Sequence, residues 1–383
     1  MSENGVKGGL GNGGSPGGGS PGDGSTGGAS PGDGSTGHGL GNGGALGGGL
    51  GNERFVGRGE AKDGLLARGL RRFLIGAFMA ATWVLAHLPR RLGLALGDLG
   101  GLAFYWLGAR RRKIAWENIQ RAKGRGALPG DLDEKSVAKK SFEGLGRTAM
   151  ESFCLLHRGL GYFKGRLGFE NEGLVPAVLA KCRENGRGVI FITAHSGNWE
   201  LSPAALAEKF DCHIWVVGRT QGSLWDEILA KIRSHGRAGF ITKDGGAKAM
   251  LGILKSGGVL GTLFDQAAMV GRGIAKLTFM GSPALTTLGP LKLAALTGST
   301  VIPLFCRRAG QGHVIEFSDP IEPPERFDRG WLVNQAQKLN DLLEDFIRRH
   351  PGEWMWSHRR WKMPSSRKEE LPKGDTPGQQ GTA

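Results

Sequence analysis

The stretch that decides the fold is VIFITAHSGNWE, residues 189–200. Its first five residues are apolar, β-branched or aromatic and carry no charge, which is typical of a strand buried inside a sheet. His195 follows the strand almost directly, and the Ser-Gly-Asn sequence after it favours a turn. Pro203 fits best in the first turn of a helix. The stretch therefore predicts a buried strand, a turn that carries His195, and a helix.

From about residue 165 onward, segments with strand character alternate with segments of helical periodicity. The predicted strands are 189–193, 214–217, 240–242, 259–264, 301–306 and 313–317. The predicted helices are 203–210, 224–234, 247–255, 286–296 and 331–349, and the last has an apolar stripe at helical spacing. This alternation predicts an α/β fold with a mixed, largely parallel sheet flanked by helices. Such folds bind ligands at the turns that follow the carboxyl ends of strands.

The most hydrophobic part of the chain lies upstream, between clusters of arginines. Residues 73–88 read FLIGAFMAATWVLAHL and carry no formal charge. Residues 92–108 are also apolar except for Asp98, and four basic residues follow them shortly afterwards. A helix that spans a bilayer needs about 20 apolar residues, and flanking aromatic and basic side chains suit a membrane interface. We expect residues 68–113 to form a hydrophobic membrane anchor. A single span, an interfacial anchor and a buried helical hairpin are all compatible with the sequence.

The two ends of the chain differ in composition from the middle. Residues 1–50 contain 23 of the 69 glycines and almost no aliphatic or aromatic side chains. Such a segment cannot bury enough apolar surface to offset its ordering entropy, and its glycines lack the strict three-residue period of collagen. We expect 1–52 to be a disordered, glycine-rich extension and 364–383 to be a polar tail.

The charge and the cysteines limit the class of protein. The formal net charge is +15, and because residues 1–52 sum to −2, the remainder carries +17. An excess of this size favours an anionic partner, which can be nucleic acid, an acidic protein or a membrane surface. No helix-turn-helix, zinc-finger or RNP-like motif supports nucleic acid. The four cysteines form no CxxC pair, which favours reduced thiols in a cytosolic environment over a disulfide scaffold or a zinc site.

His195 and Glu200 are the candidate catalytic pair. Side chains five residues apart on one helix point about 140° away from each other, so the two can meet only if His195 lies in the turn before the helix. A carboxylate beside the imidazole would then fix its tautomer and support its positive form, while the other ring nitrogen takes a proton. No GxSxG motif accompanies the pair. We therefore expect the proton to come from a substrate hydroxyl.

Six short motifs extend this pattern over the rest of the chain. They are AHSGNWE at 194–200, VVGR at 216–219, FDQ at 264–266, FMGSPALTTLGP at 279–290, VIPLF at 301–305 and EWMWSHRRWK at 353–362. Together, over about residues 68–363, they resemble the late acyltransferases of lipid A biosynthesis. This is the lauroyl/myristoyl acyltransferase family, a branch of the glycerolipid acyltransferases. The resemblance implies a glycerolipid-acyltransferase-like fold, with residues 114–363 as the acyltransferase domain.

The resemblance also implies a role for each candidate site residue. His195 would be the general base on an acceptor hydroxyl, oriented by Glu200. Arg219 would hold a phosphate by charge-assisted hydrogen bonds. Asp265 and Gln266, at a strand end, would bind substrate or stabilise a turn. The family implies acyl carrier protein as the acyl donor, a lipid A precursor as the acceptor, and no cofactor or metal. It implies a place at the cell inner membrane with the active domain facing the cytoplasm, and no nucleic acid partner.

Two other functions fit part of the sequence. The same dyad would serve an acyltransferase on another glycolipid, such as phosphatidylinositol mannoside, with acyl-CoA as a possible donor. A catalytically dead membrane scaffold would keep the hydrophobic segment without the chemistry. We expect His195→Ala and Glu200→Ala each to lower acyl transfer at least ~100-fold, the usual scale for acid–base groups, while the fold is retained.

Overall fold

The computed structural model describes residues 65–218, 224–233, 235–243, 245–267 and 273–363. The predicted glycine-rich extension and the predicted polar tail both lie outside these residues. The helices of the described part are α1 (Leu65–His87), α2 (Arg90–Leu107), α3 (Ala109–Gly124), α4 (Glu134–Arg158), α5 (Val175–Glu184), α6 (Ser202–Lys209), α7 (Leu224–Arg233), α8 (Ala247–Lys255), α9 (Gly289–Thr297) and α10 (Arg329–Arg349).

The strands of the described part form one large sheet and one hairpin. They are β1 (Leu167–Glu170), β2 (Val189–Thr193), β3 (Ile214–Gly218), β4 (Ala238–Thr242), β5 (Val259–Leu263), β6 (Ile274–Phe279), β7 (Ser282–Thr287), β8 (Thr300–Ala309) and β9 (Gly312–Phe317). Seven of these strands form a sheet in the order β1-β9-β8-β2-β5-β3-β4, and β6 pairs with β7. Strands β8, β2, β5, β3 and β4 are parallel. Strand β9 is antiparallel to β8 and parallel to β1.

The predicted α/β class with a largely parallel mixed sheet is confirmed. Strand β2 lies in the interior of the sheet between β8 and β5, and its first four residues are buried. This explains its unbroken apolar sequence, since a parallel strand is covered on both faces. The turn after β2 holds His195 before α6 begins, as the glycine and asparagine predicted.

The predicted helix 286–296 is wrong at its start. Residues Ser282–Thr287 form β7, paired antiparallel with β6, and the helix begins at Gly289 with Pro290 in its first turn. Two consecutive threonines at 286 and 287 are β-branched and favour the strand. Strand β1 was not predicted because its partner, β9, is distant in sequence. The β6–β7 hairpin pairs locally across Met280-Gly281, but the predicted helix covered the end of β7.

Helix α2 packs closely against α4 through glycines. A Cβ added at Gly97 would lie 3.0 Å from the Cα of Arg147, and one at Gly101 would lie 2.2 Å from the carbonyl oxygen of Phe142. The opposite face of α2 exposes Leu92, Leu99 and other apolar side chains. Small residues at intervals of four thus bury one face of the predicted anchor segment against the fold, while the other face remains free.

Helix α1 is mostly exposed and apolar. The stretch Gly69–His87 is long and apolar enough to cross a membrane, the one such stretch in a single helix of the described part. Helices α2 and α3 meet the same criterion only as a pair, and they bend by 90° at their junction. Phe78 and Thr82 hold α1 against α4, through a ring contact to Phe153 and a 2.9 Å hydrogen bond to His157.

The segment after α10 returns to the centre of the molecule. Trp354, Trp356 and Trp361 are all buried and belong to the main hydrophobic core. Ser196, in the turn after β2, pairs with Trp354 as an isolated antiparallel bridge. The tryptophan-rich end therefore packs against the turn that carries His195.

Candidate active site

The site begins where two neighbouring parallel strands end. In the register between β2 and β5, Thr193 lies opposite Leu263. His195 and Asp265 each follow two residues after these positions, so the sheet places them side by side at its carboxyl edge. Parallel α/β sheets bind ligands at this edge. The candidate residues Asp265 and Gln266 thus join His195 because of strand register, although 70 residues separate Asp265 from His195 in sequence.

Asp265 holds His195 through two contacts. Its Oδ1 lies 2.8 Å from His195 Nδ1, and its Oδ2 accepts the backbone N–H of His195 at 3.0 Å. A third donor, Nε1 of Trp354, reaches Oδ2 at 2.9 Å. The Asp265 side chain is 3% exposed. Burial alone would raise the pKa of this carboxyl, but His195 and the hydrogen bonds from His195 and Trp354 lower it to about 2.

The second ring nitrogen of His195 faces an exposed amide. Nε2 lies 3.1 Å from Nε2 of Gln266, whose side chain is exposed. A neutral imidazole that donates Nδ1–H to Asp265 has a lone pair on Nε2 and accepts a hydrogen bond from the Gln266 amide. The nitrogen of His195 that can accept a proton therefore faces the exposed side of the sheet edge.

The prediction that Glu200 contacts His195 is wrong. Glu200 is buried, but its carboxylate binds Arg233, at 2.6 Å to NH2 and 2.8 Å to Nε. It also accepts the indole N–H of Trp199 at 3.0 Å. Burial would raise the pKa of Glu200, and the Arg233 charge lowers it. The reason is geometric: α7 brings Arg233 to Glu200, while the parallel neighbour β5 brings Asp265 to His195.

Glu200 is linked to His195 through Trp199. The Trp199 ring packs against the His195 ring edge to face, with 5.1 Å between the centroids. By holding the Trp199 indole, Glu200 limits the movement of that ring. Its charge also lies within electrostatic reach of His195. Glu200 is therefore placed to support an imidazolium without contacting it.

The buried carboxylate of Glu151 helps to hold the turn that follows β2. Asn198 donates from Nδ2 to Glu151 at 3.1 Å and accepts the backbone N–H of Leu201 at 3.2 Å. Thr148 donates to the carbonyl of Gly197 at 2.9 Å. Gly197 has φ +53, and a Cβ there would lie 2.5 Å from a backbone oxygen of β8. Only glycine fits this position.

Glu151 also pairs with three basic side chains. Arg308 reaches it at 2.6 Å and His313 at 3.0 Å, and Arg90 lies 3.6 Å away. Burial would raise the pKa of Glu151, but His313 and Arg308 lower it to about 2. Burial would lower the pKa of His313, but the Cys306 thiol and Glu151 raise it to about 9. Sequence inspection missed this cluster because its members come from four distant elements.

Two further residues of the C-terminal segment lie within electrostatic reach of the site. The pKa of His358 falls to about 4, first because of burial and then with opposing influences of Asp265 and His195. Arg360 is fully buried, and burial lowers its pKa to about 10. It donates to the carbonyl of Leu285 at 2.7 Å. In the sequence, no partner stands at a recognisable spacing from His358.

One candidate residue cannot be placed. Arg219 lies outside the described residues, directly after β3. Among the residues that the structure describes, no three His, Cys, Asp or Glu side chains lie close enough together to hold a metal ion. What the described residues offer is a buried carboxylate, an imidazole oriented by it, and a second buried ion pair beside them. This arrangement can take a proton from a hydroxyl and stabilise the imidazolium that forms.

Comparison with known proteins identifies the family. The model of bacterial lipid A biosynthesis acyltransferases matches residues 64–363. A lipid A biosynthesis lauroyltransferase of Escherichia coli is 25% identical over 308 residues, which cover 77% of this chain and 92% of the relative. A phosphatidylinositol mannoside acyltransferase of Mycobacterium tuberculosis is 24% identical over 192 residues, covering 49% of this chain and 59% of the relative.

A solved structure gives a weaker likeness. The 1-acyl-sn-glycerophosphate acyltransferase PlsC of Thermotoga maritima is 11% identical, and the match covers 67% of this chain and 97% of that one. Its TM-score of 0.31 is too low to support a conclusion about the fold. The family match over most of the chain confirms the resemblance seen in the sequence motifs. The chain belongs to the bacterial lipid A biosynthesis acyltransferase family and is an acyltransferase of the lipid A and glycolipid type.

Proposed function

We propose that this enzyme transfers a fatty acyl chain from acyl carrier protein to a hydroxyl of a lipid A precursor, with His195 as the general base. The observation that carries the proposal is the Asp265–His195 contact at 2.8 Å, which leaves Nε2 as the acceptor at the open edge of the sheet. The +17 charge beyond residue 52 suits an acidic carrier protein and a phosphorylated glycolipid.

The reaction then follows from the two ring nitrogens. The acceptor hydroxyl displaces the Gln266 amide from Nε2, and its proton passes to Nε2 while its oxygen attacks the thioester carbonyl. Asp265 stabilises the imidazolium, helped at longer range by Glu200. The C–O bond forms, the C–S bond breaks, and the leaving thiolate takes the proton from Nε2. Arg219 keeps its proposed role of holding a phosphate group.

A second acceptor has support of its own. The relatives include phosphatidylinositol mannoside acyltransferases, one 24% identical over 49% of this chain and another, of Mycolicibacterium smegmatis, 23% identical over 74% of it. The same base would act on a hydroxyl of such a glycolipid, with acyl-CoA as a donor. The lipid A precursor remains our first choice because the family model that matches residues 64–363 is that of lipid A biosynthesis acyltransferases.

The test is an assay of the purified full chain with two donors and two acceptors. Each donor, acyl-acyl carrier protein or acyl-CoA, is combined with a lipid A precursor or with phosphatidylinositol mannoside. The products are identified by mass spectrometry. We expect one added acyl chain on the lipid A precursor with the carrier-protein donor. His195→Ala should lower the rate at least ~100-fold, whereas His213→Ala, at an exposed histidine directly before β3, should not. Acylation of the mannoside alone would favour the second acceptor.

We also propose that residues 68–113 dock the acyltransferase domain, 114–363, on the cell inner membrane with the site on the cytoplasmic side. Exposed apolar side chains on α1 and α2 support this, among them Phe73, Trp83, Leu99 and Trp106. Contiguous exposed apolar surface is typical of membrane or protein contacts. Tryptophan and arginine together suit the headgroup region.

Vesicle binding tests the docking surface. Leu99→Glu places a charge on the exposed face of α2, where the side chain is 62% exposed. We expect weaker co-sedimentation with vesicles of anionic phospholipid, because a charge is costly in the apolar layer. Leu296→Glu is the matched control, at a 48% exposed leucine on α9. Equal binding of both variants and the wild type would contradict the proposal.

A further inference from the structure

Three buried tryptophans near the end of the chain use their indole N–H groups differently. Trp356 and Trp361 donate to backbone carbonyls, at 2.8 Å and 3.2 Å. Trp354 donates to the side-chain carboxylate of Asp265 at 2.9 Å. Among these three residues, Trp354 is therefore the one whose hydrogen bond ends on the site.

The position of Trp354 is set by the same contacts that hold the turn after β2. Ser196 pairs with Trp354 in an antiparallel bridge. The backbone N–H of Met355 donates to the carbonyl of His195 at 3.0 Å. Ser141 donates to the carbonyl of Trp354 at 2.6 Å. The indole and the imidazole are consequently positioned by one continuous backbone arrangement.

The Asp265 carboxylate has a third donor besides His195. His195 supplies two contacts, one to each oxygen. The Trp354 N–H comes from a different segment and approaches Oδ2. Hydrogen bonds to a charged acceptor are the stronger kind. This third donor, from the segment after α10, restricts the rotation of the carboxylate about its side-chain bonds.

We propose that Trp354 is a positioning residue for acyl transfer, acting through Asp265 on the orientation and basicity of His195. The inference rests on the proposed role of His195 as general base. Loss of the indole N–H leaves the Asp265 carboxylate with one fewer donor and frees it to turn. The carboxylate then attracts the imidazolium form of His195 more strongly and aligns Nε2 less well.

Other charged groups act on the pair and stay in place in the test. Glu200, His358 and Arg360 are within electrostatic reach of His195 or Asp265. None of the three is bonded to the indole N–H of Trp354. The substitution therefore changes one hydrogen bond of the carboxylate and leaves the surrounding charges in the chain.

The experiment compares Trp354→Phe with Trp356→Phe in the full chain. Both remove a buried indole and one N–H, and Trp356 donates to Pro351 rather than to Asp265. We expect Trp354→Phe to lower kcat about 10- to 100-fold, the scale of a hydrogen bond to a charged group, with KM nearly unchanged. The acidic limb of its kcat/KM profile should move to higher pH. Trp356→Phe should lose comparable thermal stability and keep the wild-type profile.

The outcomes separate this inference from the proposed function. If His195→Ala keeps wild-type activity in the same assay, the proposed function is wrong. If His195→Ala is inactive while both tryptophan variants keep the wild-type pH profile and lose equal activity, only the positioning role is overturned. Should Trp354→Phe not fold, benzothienylalanine at 354, with sulfur in place of the N–H, keeps the ring shape. A wild-type kcat and profile with that side chain would equally overturn the inference.

Discussion

At the scale of single residues, the two nitrogens of His195 have different surroundings. Nδ1 faces the buried carboxylate of Asp265, and Nε2 faces the exposed amide of Gln266. A carboxylate can only accept, so it selects the tautomer with the proton on Nδ1. The side chain at position 265 therefore decides which nitrogen of His195 is left to accept a proton.

Asp265→Asn should reverse that choice. An asparagine amide can donate to Nδ1, which moves the ring proton to Nε2 and removes the base. Its oxygen still accepts from Trp354, so we expect the fold to be kept. Acyl transfer should fall at least ~100-fold, measured as kcat alongside thermal unfolding. Adding His195→Ala should cause little further loss, and a wild-type rate for the single variant would contradict the assigned tautomer.

Substitutions at Glu200 and Arg233 should affect the free energy of unfolding more than they affect acyl transfer. Glu200→Gln removes the carboxylate from a buried ion pair, which costs about 3–5 kcal/mol, so the earlier expectation of an unaffected fold does not apply. The double variant with Arg233→Gln should cost less than the two single losses together. Urea unfolding measures this coupling. Because Glu200 reaches His195 through Trp199, its kcat loss should be smaller than that of Asp265→Asn.

At the scale of elements, the packing of α2 on α4 depends on glycine. A Cβ at Gly146 would lie 2.0 Å from the carbonyl of Gly97, and one at Gly101 would lie 2.2 Å from the carbonyl of Phe142. The backbones therefore approach as closely as they can. This contact ties the proposed docking helix to α4, which supplies Thr148 and Glu151 beneath the turn of His195.

Gly101→Ala and Gly100→Ala test the packing of α2 on α4, because both make the same chemical change. At Gly101 the methyl group has no room, and we expect a loss of about 1–3 kcal/mol from overpacking. At Gly100 nothing lies within 4 Å, so alanine should gain up to about 1 kcal/mol from its helix propensity. Equal stabilities by chemical denaturation would show that α2 can shift away from α4 at no cost.

At the scale of the whole molecule, one buried charge cluster connects helices α2 and α4 to the sheet. Glu151 on α4 contacts Arg308 on β8, His313 on β9, Arg90 at the start of α2 and Asn198 in the turn after β2. A buried charge keeps its ionised form only with such partners. The cluster therefore makes stability dependent on pH from both sides.

Stability should be greatest between about pH 4.5 and 6.5. The pKa of Glu151 is lowered from 4.5 to about 2, so its contribution is present above 4.5 and is lost as pH falls through 2. The pKa of His313 is raised from 6.5 to about 9, so its contribution is complete below 6.5 and is lost as pH rises through 9. Denaturant unfolding across pH should show both declines. His313→Gln should flatten the alkaline decline, whereas His87→Gln should leave it unchanged.

The amino-acid sequence determined the parts of this protein that local pattern encodes. An uninterrupted apolar run predicted the interior strand β2, glycine and asparagine predicted the turn of His195, and the short motifs identified the family. These inferences succeeded because backbone propensity and hydrophobic periodicity act over a few neighbouring residues. The site residue His195 was found in the same way, at the end of its strand.

Only the tertiary structure decided which partners His195 and Glu200 have. The sequence placed a carboxylate five residues from the imidazole, but strand register brings Asp265 to His195, and α7 brings Arg233 to Glu200. Trp354, in the segment after α10, donates a hydrogen bond to Asp265. Contacts between residues far apart in sequence depend on how strands order and helices pack, and a single sequence carries no local signal for them.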